Sequence, residues 1–274
     1  MTASSDTGQA KPQRPLPPAP ARHWTARVVG ALLLREMSTT YGRSPGGYVW
    51  AILEPVAAIV MLAFGFSLLL RSPSLGTNFL LFYAGGILPL RFFQGITGNV
   101  GTAIAFNRPL MAYPRVTYLD TLLARGLLAV LTQTMVSVII FGGILITQDI
   151  RQNIDPAPML EGFMLCILLG VGLGTFNCFM FLRFPIWKSV WNILTRPLIL
   201  ISGVFYIYED LPQVVQGILW FNPVLHITGI VRSGLYSTYE PTYISVPYVA
   251  LFGLVPMVFG LLLLWRFGRD VLQR

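Results

Sequence analysis

Residues 159–182 read MLEGFMLCILLGVGLGTFNCFMFL, and this stretch decides the fold class. It carries one charged residue, Glu161, and exceeds the ~20 residues that a helix needs to cross the hydrocarbon core of a bilayer. The 274-residue chain has a similar character, with 54% hydrophobic and only 11% charged residues. A soluble domain carries about 25% charge. Because the apolar excess must face lipid, the sequence predicts an all-α polytopic membrane protein.

Other apolar segments of similar length bring the prediction to six transmembrane helices. Their predicted bounds are 48–70, 78–100, 118–146, 159–182, 190–208 and 246–266. The fifth is interrupted near its start by Arg196 and Pro197, and proline disfavours a continuous helix.

The N-terminal part of the chain is predicted to lie outside the membrane core. Residues 1–23 are polar and proline-rich, which predicts a disordered cytoplasmic tail without the apolar region of a cleaved signal peptide. Residues 24–43 predict an amphipathic helix in the membrane interface. Arg35 and Glu36 lie on its polar sides, and its apolar face is formed by Val29, Leu33, Met37 and Tyr41.

Residues 209–245 are apolar but contain no uninterrupted span. Pro212, Pro223 and Arg232 divide the segment, which favours two short amphipathic helices over one crossing. The sequence therefore predicts a re-entrant helical hairpin before the last span, surrounded by protein or water. Residues 24–274 as a whole are predicted to form one transmembrane domain.

Arginine and lysine positions set the predicted orientation, because cytoplasmic loops are enriched in both. The N-terminal tail, the first helix, two alternate loops and the C-terminus hold most of them. The opposite side is left with Arg71, Arg151 and Arg232. Both termini are therefore predicted to be cytoplasmic, and the same bias explains the net charge of +8 without nucleic-acid binding.

Several kinds of chemistry are disfavoured by spacing. Cys166 and Cys178 lie roughly 18 Å apart along one helix, too far for a disulfide. His23 and His226 are remote in sequence, so no metal site is predicted. No GxxxxGK[ST] phosphate loop occurs. The glycines of GVGLG, residues 170–174, predict close helix packing by their small-xxx-small spacing.

Three motifs carry a family resemblance. They are LLLREMSTTYGRSPGGYVWAILEP at 32–55, FNRPLMAYPRVTYLDTLLAR at 106–125, and SGVFYIYEDLPQVVQGILWFNPVLHITGIVRSGLY at 202–236. Together with the order of helices, they resemble the membrane subunit of type-2 ABC exporters, and specifically the permeases of capsular-polysaccharide export. The resemblance extends from about residue 24 to the C-terminus.

The resemblance implies a bacterial inner-membrane permease that moves lipid-linked acidic polysaccharide from the cytoplasm to the periplasm. It implies two copies of this chain, two copies of a separate ATPase that binds ATP and magnesium, and periplasmic and outer-membrane partners. The chain itself would be non-catalytic and hold no cofactor. The alternatives are another cargo, such as O-antigen, teichoic acid or a drug, and a membrane-embedded transferase. The transferase is disfavoured because the predicted inner loops hold almost no acids.

The basic loop 106–116 is predicted to contact the ATPase. Arginines suit a carboxylate-lined groove because the guanidinium forms bidentate hydrogen bonds. The alternative is an exposed loop without a partner. The predicted coupling residues are Asn107, Arg108, Pro109, Tyr113 and Arg115, together with Arg35 and Glu36 of the first helix.

Charges inside predicted spans indicate a substrate conduit, because they are costly in lipid. Arg91 lies midway along the second span, and Glu54 lies near the inner end of the first. The alternatives are a structural ion pair or a helix-break anchor near the interface at Glu54, a paired or snorkelling Arg91, and helix packing at a dimer interface. The predicted conduit residues are Arg91, Phe92, Phe93, Gly95, Thr102 and Glu54.

Overall fold

The computed structural model describes residues 24–40, 47–112, 116–148 and 153–272, and all regular structure within these ranges is helical. The helices are α1 (Trp24–Thr40), α2 (Gly47–Ser67), α3 (Phe79–Gly101), α4 (Ala103–Asn107), α5 (Tyr118–Thr147), α6 (Pro156–Arg183), α7 (Pro185–Thr195), α8 (Leu198–Ile201), α9 (Gln213–Leu219), α10 (Pro223–Leu235) and α11 (Val246–Leu272). Short 3₁₀ turns at Arg108–Ala112 and Tyr208–Asp210 complete the described structure.

Five helices are long and apolar enough to cross a membrane, namely α2, α3, α5, α6 and α11. They coincide with five of the predicted spans. Helices α9 and α10 meet at an angle of 104°, and this bent pair counts as a sixth candidate if it forms one span. The structure thus has two short helices where the sequence predicts the hairpin. The re-entrant position of this hairpin in the membrane remains a prediction.

Residues 190–208 do not form the single helix that the sequence predicts. Helix α7 begins at Pro185 and ends at Thr195, and α8 covers only Leu198–Ile201. Pro197 has no N–H to continue the helical hydrogen bonds. Gly203 then takes a left-handed conformation with φ 71° within a turn, which glycine adopts more readily than other residues.

Helix α1 occupies most of the segment predicted as the interface helix but buries a different face. It packs against α5 and buries Leu32 and Glu36, whereas Met37 of the predicted apolar face is exposed. The side chain of Glu36, which was expected on a polar side of the helix, is therefore buried within the helix bundle. Its burial is tolerated because polar partners on α4 and α5 meet it there.

Helices α3 and α6 form the centre of the bundle. Helix α3 packs against α2, α5, α6 and α10, and α6 packs against α3, α10 and α11. The membrane-length windows of α2 and α11 are only 17% and 22% buried within the chain. Their exposed apolar side chains are suited to lipid or to another membrane-embedded surface.

The glycines of GVGLG lie where α6 packs against α3 and α11. A Cβ on Gly170 or Gly174 would press against Ile96 or Val100 of α3, and one on Gly172 would overlap the backbone of Gly253 in α11. The predicted helix-packing role of these glycines is therefore confirmed.

Gly172→Ala is expected to lower the free energy of unfolding by about 1–3 kcal/mol, because overpacking would force α6 and α11 apart. Gly142→Ala in α5 is the matched control, since nothing lies within 4 Å of its Cβ position. The control should leave stability unchanged or raise it by up to about 1 kcal/mol through helix propensity. Thermal unfolding monitored by size-exclusion chromatography measures both, and equal midpoints would contradict the close contact.

Candidate functional site

An ion pair joins two membrane-length helices at the first polar site. Arg91 Nη1 of α3 lies 2.9 Å from Glu54 Oε1 of α2, and their side chains are 41% and 65% exposed. The pair brings together two residues that the sequence singles out separately. Because both side chains remain partly exposed, the pair faces open space beside the helices and not the packed core.

Two cavities lie on either side of Arg91 and Gln94, and both residues line both cavities. The larger has a volume of about 630 Å³ and lies between α3 and the α7 region. The smaller has a volume of about 340 Å³ and lies among α2, α3 and α5, with Glu54, Thr132 and Gln133 in its wall. Together the two cavities form what we call the Arg91 groove.

The predicted conduit residues divide into those that reach this groove and one that does not. Phe93 and Thr102 line the larger cavity, and Gly95 lines the smaller. Phe92 is buried and packs on Phe163, with ring centroids 5.0 Å apart. Neighbouring residues on a helix point about 100° apart, so the two phenylalanines do not share a face.

The side of the groove formed by α7 was not predicted. Its wall contains Lys188, Trp191, Asn192, Thr195 and, just beyond the helix, Arg196. The spacing of Lys188, Asn192 and Thr195 is that of one helical face. That signal was present in the sequence, but a span assigned to 190–208 cuts across it.

A second polar site joins α1, α4 and α5, and we call it the Glu36 cluster: Arg35, Glu36, Asn107 and Arg125. Asn107 Nδ2 donates a hydrogen bond to Glu36 Oε1 at 2.7 Å, and Arg35 Nη1 donates to Asn107 Oδ1 at 3.2 Å. Arg125 Nη1 lies 3.8 Å from Glu36 Oε1. Glu36 and Asn107 are almost completely buried, so the cluster holds α1 against α4 and α5 from inside.

Arg125 connects this cluster to the end of α3. Its Nε donates to the carbonyl of Asn99 at 3.0 Å, and its Nη2 donates to Asn99 Oδ1 at 3.2 Å and to Thr102 Oγ1 at 3.4 Å. Its guanidinium carbon lies 4.2 Å from the ring centroid of Phe106. Since Thr102 also lines the larger cavity, Arg125 links the Glu36 cluster to the Arg91 groove.

Burial raises the pKa of the Glu36 carboxyl above its ordinary value. The hydrogen bond from Asn107 and the charges of Arg125 and Arg35 lower that pKa again, but only in part. The folded chain therefore favours the protonated carboxyl more than the unfolded chain does.

The predicted coupling residues occupy different environments. Glu36 and Asn107 are buried and cannot touch another protein directly, whereas Arg108 and Pro109 are exposed. Tyr113 and Arg115 lie outside the described residues. Of the described coupling residues, Arg35 is half-buried, and the exposed ones lie in the turn after α4, next to the Glu36 cluster.

A second buried cation, Arg232, fixes the α9–α10 hairpin. Arg232 of α10 donates from Nη1 to the carbonyl of Tyr206 at 2.7 Å and from Nη2 to that of Val204 at 3.1 Å. Its guanidinium carbon lies 4.1 Å from the ring centroid of Phe82. Arg232 therefore attaches the hairpin to the segment that follows α8, a role that its sequence position did not indicate.

Comparison with known proteins agrees with this architecture. Residues 27–236 match the family model described as ABC-2 type transporter. The chain is 29% identical over 245 residues to "Capsule polysaccharide export inner-membrane protein CtrC" of Neisseria meningitidis serogroup B, covering 89% of this chain and 92% of the relative. It is 29% identical over 236 residues to "Polysialic acid transport protein KpsM" of Escherichia coli, covering 86% and 92%.

A third relative is "Capsule polysaccharide export inner-membrane protein BexB" of Haemophilus influenzae, with 29% identity over 247 residues that cover 89% of this chain and 92% of the relative. The family model covers most of the chain, including α1, the Arg91 groove and the bent helix pair. The chain therefore belongs to the ABC-2 type transporter family.

Proposed function

We propose that this chain is the membrane permease subunit of an ATP-driven exporter that moves lipid-linked acidic capsular polysaccharide from the cytoplasm to the periplasm. The observation that carries the proposal is the Arg91 groove, a partly polar recess beside the middle of α3. The names of relatives that cover nearly the whole chain support the choice of cargo. Both termini lie in the cytoplasm in this proposal, as the distribution of basic residues indicates.

The groove has the chemistry that a sliding sugar polymer needs. A partly exposed ion pair is costly in hydrocarbon, so the Arg91 and Glu54 side chains must face water, cargo or protein. Gln94, Gln133 and Thr132 add donors and acceptors that match sugar hydroxyls without binding any one of them strongly. Weak and numerous contacts allow a polymer to move along the wall.

The proposal requires further subunits. A second copy of the chain would cover the open side of the groove, so that the conduit lies between two permeases. Two copies of an ATPase subunit would bind ATP and magnesium and drive the transport cycle. Periplasmic and outer-membrane export proteins would then carry the polymer to the cell surface.

The turn after α4 is the proposed contact with the ATPase. Arg108 and Pro109 are exposed there, and the Glu36 cluster holds the turn against α1 and α5. A displacement of this turn would be transmitted to α3 through Arg125, which donates hydrogen bonds to Asn99 and Thr102. Coupling would therefore act on the helix that lines the groove.

Deletion of the gene tests the function directly. Lipid-linked acidic polymer should accumulate in the cytoplasm, and the surface coat should be lost until the intact gene is restored. If no polymer is made, the chain acts in synthesis; if the coat is unchanged, the cargo is something else. Either result would reject the proposal.

Arg108→Glu is expected to reduce export by at least about tenfold while ATP hydrolysis continues, because charge reversal at an interface opposes a carboxylate-lined partner. The measurement compares the ATPase rate of the purified complex with surface polysaccharide in cells, after co-purification shows that the subunits remain associated. Arg108→Lys is the charge-preserving control and should export better. Normal export by the glutamate variant would remove Arg108 from the coupling surface.

A further inference from the structure

A second groove runs between the C-terminal halves of α2 and α5 and the first turn of α3. It consists of an outer cavity of about 370 Å³ and an inner cavity of about 260 Å³, which share Val60 and Leu80 in their walls. We call it the α2–α5 groove. It lies where α2 packs mainly on α3 and makes little contact with α5. No residue of the Arg91 groove lines it, so the proposed function leaves it unexplained.

The two cavities of this groove differ in polarity. The inner cavity lies toward the middle of the helices and is lined mostly by aliphatic side chains, namely Val56, Ile59, Val60, Leu80, Ile139, Ile140 and Ile144. The outer cavity lies at the helix ends, and its wall adds four polar side chains, those of Ser67, Thr77, Asn78 and Gln148. A lipid has the same gradient, with a polar headgroup at the membrane boundary and an acyl chain in the hydrocarbon.

The polar end of the groove has a fixed geometry and leaves donors available. Asn78 Oδ1 accepts a hydrogen bond from the N–H of Leu81 at 3.2 Å, and Asn78 Nδ2 donates to Gln148 Oε1 at 3.0 Å. Asn78 therefore joins the start of α3 to the end of α5. Within the described part of the chain, Gln148 Nε2 and the Thr77 hydroxyl donate to no other group. Both can donate to a ligand in the outer cavity.

A cation lies in the segment that follows α2 at this end. Leu68 and Leu69 are 72% and 79% exposed, and the next residues, Leu70 and Arg71, are also exposed. Arg71 takes part in no salt bridge with any described residue. Exposed leucines beside an arginine suit the boundary of a membrane, because the leucines enter the apolar layer and the guanidinium binds lipid phosphate.

We propose that the α2–α5 groove binds one phospholipid of the surrounding membrane. Its acyl chain occupies the inner cavity, and its phosphate and glycerol accept hydrogen bonds from Gln148, Thr77 and Arg71. In the orientation given under the proposed function, this lipid belongs to the periplasmic leaflet. Only the choice of leaflet rests on that function, because the groove and its polarity belong to the fold itself.

The bound lipid would complete the packing of α2. The membrane-length window of this helix is only 17% buried within the chain. The inner cavity extends to Val56, which follows Glu54 by two residues. An acyl chain in this cavity would therefore contact α2 close to the ion pair between Glu54 and Arg91. We infer that the lipid holds α2 between α3 and α5 on the side that protein contacts leave open.

Lipid binding is measured by native mass spectrometry of the purified permease–ATPase complex, delipidated in detergent and titrated with palmitoyl-oleoyl phosphatidylglycerol. Gly143→Leu is the blocking variant. Gly143 lines the inner cavity and nothing lies within 4 Å of its Cβ position, so a leucine would enter the groove without meeting backbone. We expect one lipid per permease to bind about tenfold more weakly, because excluding two methylene groups from a buried site produces about this factor.

Gly142→Leu is the matched control for added bulk on α5. Nothing lies within 4 Å of the Cβ position of Gly142, and this residue lines neither cavity of the groove. The control should therefore bind lipid as the unaltered complex does. A second test removes the donors without filling the groove: Arg71→Gln combined with Thr77→Val should weaken binding, whereas Arg71→Lys keeps the charge and should retain it.

Each outcome decides the proposal. Unchanged lipid binding by Gly143→Leu, or an equal loss in Gly142→Leu, would overturn the site. Phe64 lines the outer cavity and is 67% exposed. Because Cys166 and Cys178 are buried, oxidative cross-linking of two Phe64→Cys permeases would show that a second copy of the chain covers the groove, which would also overturn the proposal.

Failure of this site is distinguishable from failure of the proposed function. Unchanged lipid binding by the blocking variant would remove the lipid site and leave export standing. An unchanged surface coat after gene deletion would reject export, while weaker lipid binding by Gly143→Leu would still support the lipid site.

Discussion

Glu36→Leu is expected to lower the free energy of unfolding by about 3 kcal/mol and to abolish export. The carboxylate accepts a hydrogen bond from the buried Asn107 amide and faces the Arg125 guanidinium. Leucine would leave the amide without this acceptor and the cation without its counter-charge, and removing one partner of a buried charge pair costs about 3–5 kcal/mol. Export would fail because α1 and the turn after α4 would no longer be held together. Thermal unfolding and surface polysaccharide are the two measurements.

Glu36→Gln is the matched control, because it keeps an acceptor for Asn107 and removes only the charge. It should lose less stability than the leucine variant, because the buried Asn107 amide keeps its hydrogen-bond acceptor. A leucine variant as stable as the glutamine variant would show that the cluster does not hold α1 in place.

The same control predicts a pH dependence. The folded-state pKa of Glu36 is raised, so its stabilising contribution is complete below the unfolded pKa of about 4.3 and is lost as pH rises through the folded value. The stability of the unaltered chain should therefore fall relative to Glu36→Gln as pH increases from about 4.3. Unfolding midpoints of the two proteins across pH, at constant ionic strength, measure the difference. A constant difference would show that the pKa of Glu36 is not raised.

The helical architecture was largely predictable because hydropathy is a local property. Five apolar runs became five membrane-length helices, and the breaks at Pro212 and Pro223 correctly divided the segment before the last of them. The predicted span at 190–208 was wrong because the average hydropathy of this segment does not reveal the break at Pro197 or the left-handed Gly203. A window long enough to detect a span is too long to detect such a break.

The sites were predictable only as single residues. Arg91 and Glu54 were singled out because a charge within a span is costly, but their pairing depends on how α2 packs against α3. Glu36 appeared to lie on a polar side of α1 because its partner Asn107 follows 71 residues later. Periodicity describes one helix, whereas burial depends on the neighbour that the helix meets.

Arg91→Leu is expected to reduce export by at least about tenfold, whereas Arg91→Lys should retain a larger part of it. The guanidinium lines both cavities of the groove, and a contact between a charged group and an anionic cargo contributes about 1.5–3 kcal/mol. Lysine keeps the positive charge but loses the bidentate geometry. Surface polysaccharide at equal protein level in the membrane measures the effect, and equal export by both variants would argue against a cargo contact.

Exchanging the charges of Arg91 and Glu54 distinguishes the structural role of their ion pair from a role of Arg91 in cargo contact. Arg91→Glu alone places two carboxylates together beside Glu54 and should lower stability, since like charges at close range repel. Adding Glu54→Arg restores an ion pair and should restore stability to within about 1 kcal/mol. Export should nevertheless stay low, because a carboxylate would then face the larger cavity, where it would neutralise part of the basic charge and repel an acidic cargo. If the exchange restored export, the pair would matter only for holding α2 against α3, and Arg91 would not be a cargo contact.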